Sequence, residues 1–531
     1  MKIIRSDRLL LVLLSLVLLV SCKDENAPGK DWKITPQQIA AAIEKGSAVH
    51  LHHEKAVNRF YEARSNHPAW AESEDRAELF SALSGAEKEG LSGEDYHLPE
   101  IKQLMQRTSF TPQEAARLDL LLTDAFLTFS EDLYYGKLDP REYHDDWGVP
   151  KKDIDLLGFL QKAAESGDVD EAFNQIRPHH QVYEGLMRSL EDYAALRKNQ
   201  EHIVQVPEGE MIKPGEKDPR IPILVQRLKQ LELLPDDYQS RDSTFTRDLQ
   251  DAVERFQKTM GLETDAVLGN STLGELNMSV ADRYDQILVN LERWRWYPRN
   301  LGDHYILVNI PDFNLVVVKD GDTLRQHNVV AGAPARQTPI FSDTLQYIVI
   351  NPTWTVPPTI KAQDVIPKAS RNPEYLKSHN MVVYDAAGNR LSPGEIDWGK
   401  AANYTFVQRS GVANPLGRVK IIYPNRYLVY LHDTPSKGLF EENERAESSG
   451  CVRVENAVEL AAYAISGQDD WNEEKIREVI GSGKTTQVKI NRPISVHHFY
   501  WTAWRAGDKT VFTNDVYGLD QKILKGLKQG S

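Results

Sequence analysis

The sequence predicts a multidomain α+β protein with a long helical N-terminal region, a small three-helix module and a mostly antiparallel, β-rich C-terminal domain. Three observations lead there. At 531 residues the chain exceeds what one hydrophobic core usually organises. Up to about residue 297 apolar residues recur at helical spacing, as in the stripe Tyr183, Leu186, Met187, Leu190 and Tyr193. Beyond Leu301 the texture changes to short β-branched and aromatic runs separated by Gly, Asn, Asp and Pro.

The first residues address the chain. Lys2, Arg5 and Arg8 precede an apolar run from Leu9 to Val20 broken only by Ser15. That run is shorter than the roughly 20 residues a spanning helix needs and suits the core of an export signal. Leu19-Val20-Ser21-Cys22 resembles a bacterial lipobox, which implies a lipoprotein signal peptide over 1–22, a lipid on Cys22 and a membrane-anchored place in the periplasmic cell envelope. An ordinary signal peptide cut near Ser21 stays open. The net charge of −14 makes nucleic acid a poor partner. The chain has two cysteines, Cys22 and Cys451. Once Cys22 is lipidated, Cys451 has no intramolecular disulfide partner in an oxidising compartment, so it needs another reason to be there. Burial as a small hydrophobe is the plain alternative.

From 32 to 205 the chain reads as a helical scaffold domain, with stops at Gly90-Leu91 and at Gly136-Lys137-Leu138-Asp139-Pro140. Residues 206–222 concentrate Pro, Gly and charge and mark a linker. A module over 219–280 follows, with helices expected from Leu224 to Leu233, from Thr246 to Met260 and ending at Leu276. Its residues Ala252-Val253, Phe256-Gln257, Gly261-Leu262, Asp265, Gly269, Thr272, Leu276 and Asn277 resemble the signature of the small peptidoglycan-binding domain. Ala266 departs from it, standing where that family usually has glycine. Retained binding to glycan or stem peptide is therefore less secure than the fold.

Asp285 to Tyr297 continues as helix, and its paired Trp294 and Trp296 are expected to pack one module against the next. Strand runs follow at Tyr305 to Ile310, Leu315 to Val318, His327 to Val330, Gln346 to Ile350, Val419 to Tyr423 and Tyr427 to His432. Helix returns at Val458 to Ile465 and Glu473 to Ile480. These bound a domain over 300–490 with an inserted segment at about 357–410. A C-terminal extension, 491–531, is expected to pack on the body.

The chemistry concentrates in Tyr430-Leu431-His432-Asp433-Thr434-Pro435 and in Ser448-Ser449-Gly450-Cys451-Val452-Arg453-Val454-Glu455-Asn456. A free thiol has a pKa of about 8.5, so a nearby imidazole is needed to activate it near neutral pH. His432 can supply it. On an extended strand His432 and Tyr430 share one face, with Leu431 and Val429 on the other. Gly450 lets a substrate approach the backbone closely, and N–H groups around Cys451 could receive an oxyanion. A cysteine with a distant histidine is a weak pattern by itself.

The block resembles the active-site signature of L,D-transpeptidases with a YkuD-type catalytic domain, and the whole chain is similar to their large YcbB-like subgroup. The match falls on His432, Ser448, Gly450, Cys451, Arg453 and Asn456. It departs at Ser449, where smaller relatives carry histidine. Asn351-Pro352-Thr353-Trp354-Thr355-Val356-Pro357-Pro358 and Asn414-Pro415-Leu416-Gly417-Arg418 extend it.

The resemblance implies a YkuD-type fold whose insertion forms a lid, and a cysteine acyltransferase with Cys451 as nucleophile and His432 as base, oriented by the Asp433 backbone carbonyl. Gly450, Ser449 and Tyr430 are assigned to the oxyanion region, and Arg453, Asn456 and Trp354 to substrate binding. The implied reaction passes a tetrapeptide stem to a diamino-acid amine, making 3-3 cross-links. An L,D-carboxypeptidase or endopeptidase, or a non-catalytic peptidoglycan tether, are the alternatives. The implied partners are peptidoglycan stem peptides and glycan, with the membrane reached through Cys22. No cofactor and no metal are expected: HExxH and zinc-spaced cysteines are lacking, and the adjacent pairs His52-His53, His179-His180 and His497-His498 point apart on regular structure.

Overall fold

A computed structural model describes residues 34–44, 50–198, 203–239, 242–260, 262–372, 374–469 and 471–529. The expected export signal at 1–22, with Cys22, lies outside them, as do Gly261 and residues 32–33, 45–49 and 199–202 of the expected scaffold domain. Among the described residues no helix is long and apolar enough to cross a membrane.

The scaffold is built around one helix, Pro112–Tyr135. Thr111 and Glu114 close a capping box at its start, satisfying N–H groups that the first turn leaves free. Leu118, Leu121, Leu122, Ala125, Phe126 and Phe129 are buried on it, and helices Glu54–Ala63, Ser73–Ser84, Leu98–Met105, Leu156–Ser166 and Val169–Ile176 surround it. Buried carboxylates inside this helix are paired. Asp119 accepts from the Tyr61 hydroxyl at 2.7 Å and from the Ala69 and Trp70 amides at 3.0 and 2.9 Å.

The three-helix module comprises Ile221–Gln230, Arg247–Thr259 and Asn270–Asn277 and has its own core, including Leu224, Val253, Phe256 and Leu276. Ala266, at the family's glycine position, is left-handed with φ 57°. A β-carbon there costs about 1–2 kcal/mol, which explains the usual glycine. Gln257 holds the turn regardless: its amide donates to Asp265 at 2.9 Å and Thr272 at 3.0 Å, and its oxygen accepts from the Ala266 N–H at 2.9 Å.

The C-terminal domain is β-rich, as expected. Its main sheet runs Trp147–Gly148, Ile340–Thr344, Ser495–Phe499, His304–Asn309, Asn314–Lys319, Asp322–Gly332, Val452–Val454, Leu431–His432, Val419–Ile422, Tyr347–Ile350 and Thr486–Lys489. Most neighbours are antiparallel. The parallel pairs join Trp147–Gly148 to Ile340–Thr344, His304–Asn309 to Ser495–Phe499, Leu431–His432 to Val452–Val454, and Ala446–Ser448 to Asp322–Gly332.

Three segments sit elsewhere than their sequence positions suggest. Trp147–Gly148 and the helix Gln181–Lys198, both inside the expected scaffold range, belong to the C-terminal body. The first is an edge strand of its sheet, and Tyr183, Leu186 and Leu190 of the second join its core. Ser495–Phe499, in the expected appended tail, is an internal strand between Ile340–Thr344 and His304–Asn309. Its neighbours in sequence gave no sign of this, because a central strand is defined by partners far along the chain.

The insertion forms a small unit of its own. Strands Trp354–Thr355, Thr405–Gln408, Met381–Tyr384 and Arg390–Leu391 make a four-stranded sheet, and Val365, Ala369, Leu376, Val383 and Phe406 make its core.

Candidate active site

Strand register brings the two sequence blocks together. Leu431–His432 pairs in parallel with Val452–Val454, Leu431 beside Val452 and His432 beside Arg453, and the Val452 N–H donates to the Tyr430 carbonyl at 3.2 Å. Cys451 therefore lies alongside Tyr430. Of the run Tyr427 to His432 only the last two residues form a regular strand. Before them Asn425 folds a turn, accepting from the Tyr427 and Val429 amides and donating to the Val429 carbonyl. Leu428 is left-handed (φ 58°) and exposed there, and its carbonyl lies 3.8 Å from the Cys451 Sγ.

Cys451 and His432 open on one cavity of about 750 Å³, whose wall also includes Tyr430, Arg453, Ser448, Ser449 and Trp354. Tyr430 and His432 meet edge to face at 5.7 Å, sharing a face as the alternation predicts, while Leu431 is buried behind them. The Asp433 carbonyl lies 2.6 Å from His432 Nδ1. Since a carbonyl only accepts, the proton sits on Nδ1 and Nε2 carries the lone pair.

Burial lowers the His432 pKa to about 4, with Arg453 and Lys420 adding to the effect and the Asp433 carbonyl opposing it. Burial likewise pushes the Cys451 thiol up, against the pull of the Tyr430 amide and hydroxyl, Lys420 and Arg453. At neutral pH the resting pair is an uncharged thiol and an uncharged imidazole. Such a pair works by general-base attack, the proton leaving as the sulfur bonds.

The loop holding Cys451 is tightly pinned. Ser448 Oγ donates to the Cys451 carbonyl at 2.5 Å and accepts from the Gly450 N–H at 3.1 Å, while Thr338 Oγ1 donates to the Gly450 carbonyl at 3.0 Å. Gly450 has φ 105° and a β-carbon on it would stand 3.3 Å from the Gln337 carbonyl, so both backbone and space call for glycine. With its N–H on Ser448, Gly450 is already committed. Ser449 Oγ accepts from Arg336 at 2.9 Å, which ties the loop to that guanidinium.

The Asp433 carboxylate faces away from the chemistry. It accepts from the Arg418 N–H at 2.7 Å and pairs with Lys437, tying the segment Asn414 to Arg418 to the histidine strand. Gly417 packs so closely against it that an added β-carbon would lie 2.4 Å from the carboxyl carbon. Asn456, expected to bind substrate, does not line the cavity. It is left-handed (φ 52°) and opens helix Ala457–Ala464, a backbone position that asparagine tolerates better than most side chains.

Several cavity residues had no signal in the sequence. His144, Asp145 and Asp146 reach it from the scaffold, just before the edge strand Trp147–Gly148, and Tyr517 and Leu519 reach it from the tail. Arg336 bridges Ser449 to the insertion, donating to Asp364 at 3.1 Å and Gln363 at 2.5 Å. From the insertion or its entry, Trp354, Pro357, Pro358, Thr359 and Ile360 complete that side.

Three family models match the chain: a "Scaffold domain" over residues 55–190, a "Putative peptidoglycan binding domain" over 217–276, and an "L,D-transpeptidase catalytic domain" over 303–489. A Haemophilus influenzae protein described as "Putative L,D-transpeptidase" is 37% identical over 241 residues, 45% of this chain and 48% of that protein, so the match spans about half of its length. Among solved structures, an L,D-transpeptidase from Xylanimonas cellulosilytica is 17% identical, with 55% of this chain and 99% of that one covered and a TM-score of 0.17. One from Mycobacterium smegmatis is 14% identical, with 37% and 58% covered and a TM-score of 0.17. Superpositions that loose carry no argument about this chain.

Proposed function

From a chain that carries a YkuD-type L,D-transpeptidase catalytic domain beside a peptidoglycan-binding domain and a scaffold domain, an order consistent with the YcbB-like subgroup, we propose a cell-envelope transpeptidase that forms 3-3 cross-links. Cys451 Sγ attacks the carbonyl between the third and fourth residues of a donor tetrapeptide stem as His432 Nε2 takes the thiol proton. The tetrahedral intermediate collapses, its C–N bond breaks, and His432 returns the proton to the departing D-alanine amine, leaving a thioester on Cys451. An amine from a diamino acid in a second stem then displaces the sulfur, giving the cross-link and restoring the thiol. Tyr430 and Arg453 are assigned to the oxyanion and to substrate carboxylate, and Trp354 to the stem peptide.

One observation carries this reading: a thiol and an imidazole open on the same cavity, with the imidazole tautomer set by the Asp433 carbonyl so that its basic nitrogen is free. Supporting it, the insertion borders that cavity and can exclude the water that would otherwise hydrolyse the thioester. Export and anchoring through Cys22 belong to the same proposal, as does acylation of Cys451 by carbapenems.

The test is incubation of the full chain with purified disaccharide-tetrapeptide and mass spectrometry of the products, beside Cys451→Ala. A dimer formed with loss of one alanine, absent from the variant, is the expected result. Tripeptide as the sole product would make the enzyme an L,D-carboxypeptidase, and a product pattern indifferent to Cys451 would sink the reading.

A further inference from the structure

Far from the catalytic cavity, the scaffold gathers two histidines over one buried carboxylate. Asp124 lies inside the helix Pro112–Tyr135 with its side chain fully buried. Its carboxylate accepts from the His52 N–H at 2.9 Å and the His53 N–H at 2.7 Å, which fixes the chain just before helix Glu54–Ala63. His97 Nε2 meets the same carboxylate at 2.7 Å. The exposed His52 ring stacks on that of His97, centroids 4.9 Å apart and planes at 26°. The adjacent pair does point apart, as its spacing predicts: His53 turns to Glu131 at 3.1 Å, and His52 turns to His97.

A second feature singles out His97. Its backbone is left-handed, φ 56°, between the short turn Gly93–Tyr96 and the helix Leu98–Met105. Glycine or asparagine usually takes such a position, since a β-carbon there costs about 1–2 kcal/mol. Histidine at that cost fits a side chain that is required.

One ligand atom from each of His52, His97 and Asp124 lies within 4.8 Å of the others. Ligands on a tetrahedral ion at bonds of 2.0–2.1 Å stand about 3.3 Å apart, so closure needs a modest turn of the exposed His52 ring. Two imidazoles and a carboxylate with one open side suit a first-row divalent ion and not calcium or magnesium, which favour oxygen alone.

We propose that His52, His97 and Asp124 bind a divalent transition ion of the zinc class that clamps two chain segments onto the central scaffold helix. Binding replaces the His97–Asp124 hydrogen bond with a metal bond from each partner; the Nε2 proton that made the hydrogen bond is lost to solvent, and the neutral, bound ring carries its one proton on Nδ1. The His53 and His52 amides keep the carboxylate in place, acting as the outer support that such ligands usually have.

The experiment is titration of the full chain with zinc against a chromophoric chelator, in a Cys451→Ala background so that the active-site thiol takes no part. One zinc per chain is expected. His52→Ala should weaken it about tenfold or more while the melting temperature without zinc stays unchanged, because that ring is exposed. His379→Ala, which removes an exposed histidine of the insertion, should bind as its parent. Failure to bind one equivalent, or equal binding by His52→Ala, would overturn the proposal.

Discussion

The two accessory regions attach to the catalytic body in opposite ways. The peptidoglycan-binding module has a closed core of its own, and its side-chain link to the body runs through Arg283, which pairs with Glu275 and lies 4.6 Å over the Phe512 ring. The scaffold has its own core as well, yet it is knitted to the body through buried charge. On the helix Val280–Trp296, Glu292 accepts from Arg295 at 3.0 Å, from the Trp296 indole at 3.0 Å and from the Leu138 N–H at 2.8 Å. Arg295 in turn donates to the Glu89 carbonyl. Trp147 stacks on Tyr297 and meets Trp296 edge on, contacts that hold this edge strand to the helix within the body. One region is a module closed around its own core; the other is continuous with the body, down to three residues in the cavity wall.

The largest test of that contrast is Glu292→Ala. It strands the fully buried Arg295 guanidinium, and unpairing such a charge costs about 3–5 kcal/mol. Calorimetry should show scaffold and catalytic body destabilised together, with the binding module's own transition unmoved. Separate behaviour of scaffold and body would break the comparison.

Phe256→Ala should produce the mirror image. Losing this buried ring costs the module about 3–5 kcal/mol. The rate at which iodoacetamide labels Cys451 should nonetheless match the parent, and a slowed rate would show that the module supports the site.

Acid gives the most graded test. His144, His180, His432, His497 and His498 in the body or at its junction are held neutral by burial, with pKa values lowered to about 3 or 4. Their unfolded counterparts titrate near 6.5. The stability they contribute is complete above that value and is lost as pH falls towards the folded pKa values. Residues 203–278 contain no histidine. From pH 7 to 5 the melting temperature of the body should drop by about 5 °C or more, while that of the module holds. Equal shifts would remove the histidines as the cause.

The candidate pair Cys451 and His432 was read from the resemblance of its two sequence blocks to a family signature, because a cysteine with a distant histidine is a weak pattern by itself. Periodicity likewise gave the helices Arg247–Thr259 and Val280–Trp296 to within a few positions at each end. Arg336, Tyr517 and His144 were not legible. Each is an ordinary residue in its own neighbourhood and acquires a role from strands paired across more than a hundred positions. Asn456 shows the reverse, a motif position that stands outside the cavity wall at the start of helix Ala457–Ala464.

The sequence by itself determined the order of modules and the helix and strand periods, since these depend on side-chain type and short-range spacing. Tertiary structure alone decided where the modules end and what surrounds the thiol. Trp147–Gly148 and Ser495–Phe499 become catalytic strands because hydrogen-bonded edges accept whichever extended segment reaches them in register. The neutral state of the Cys451–His432 pair follows from burial, which is a property of everything packed around the two groups and of neither residue alone.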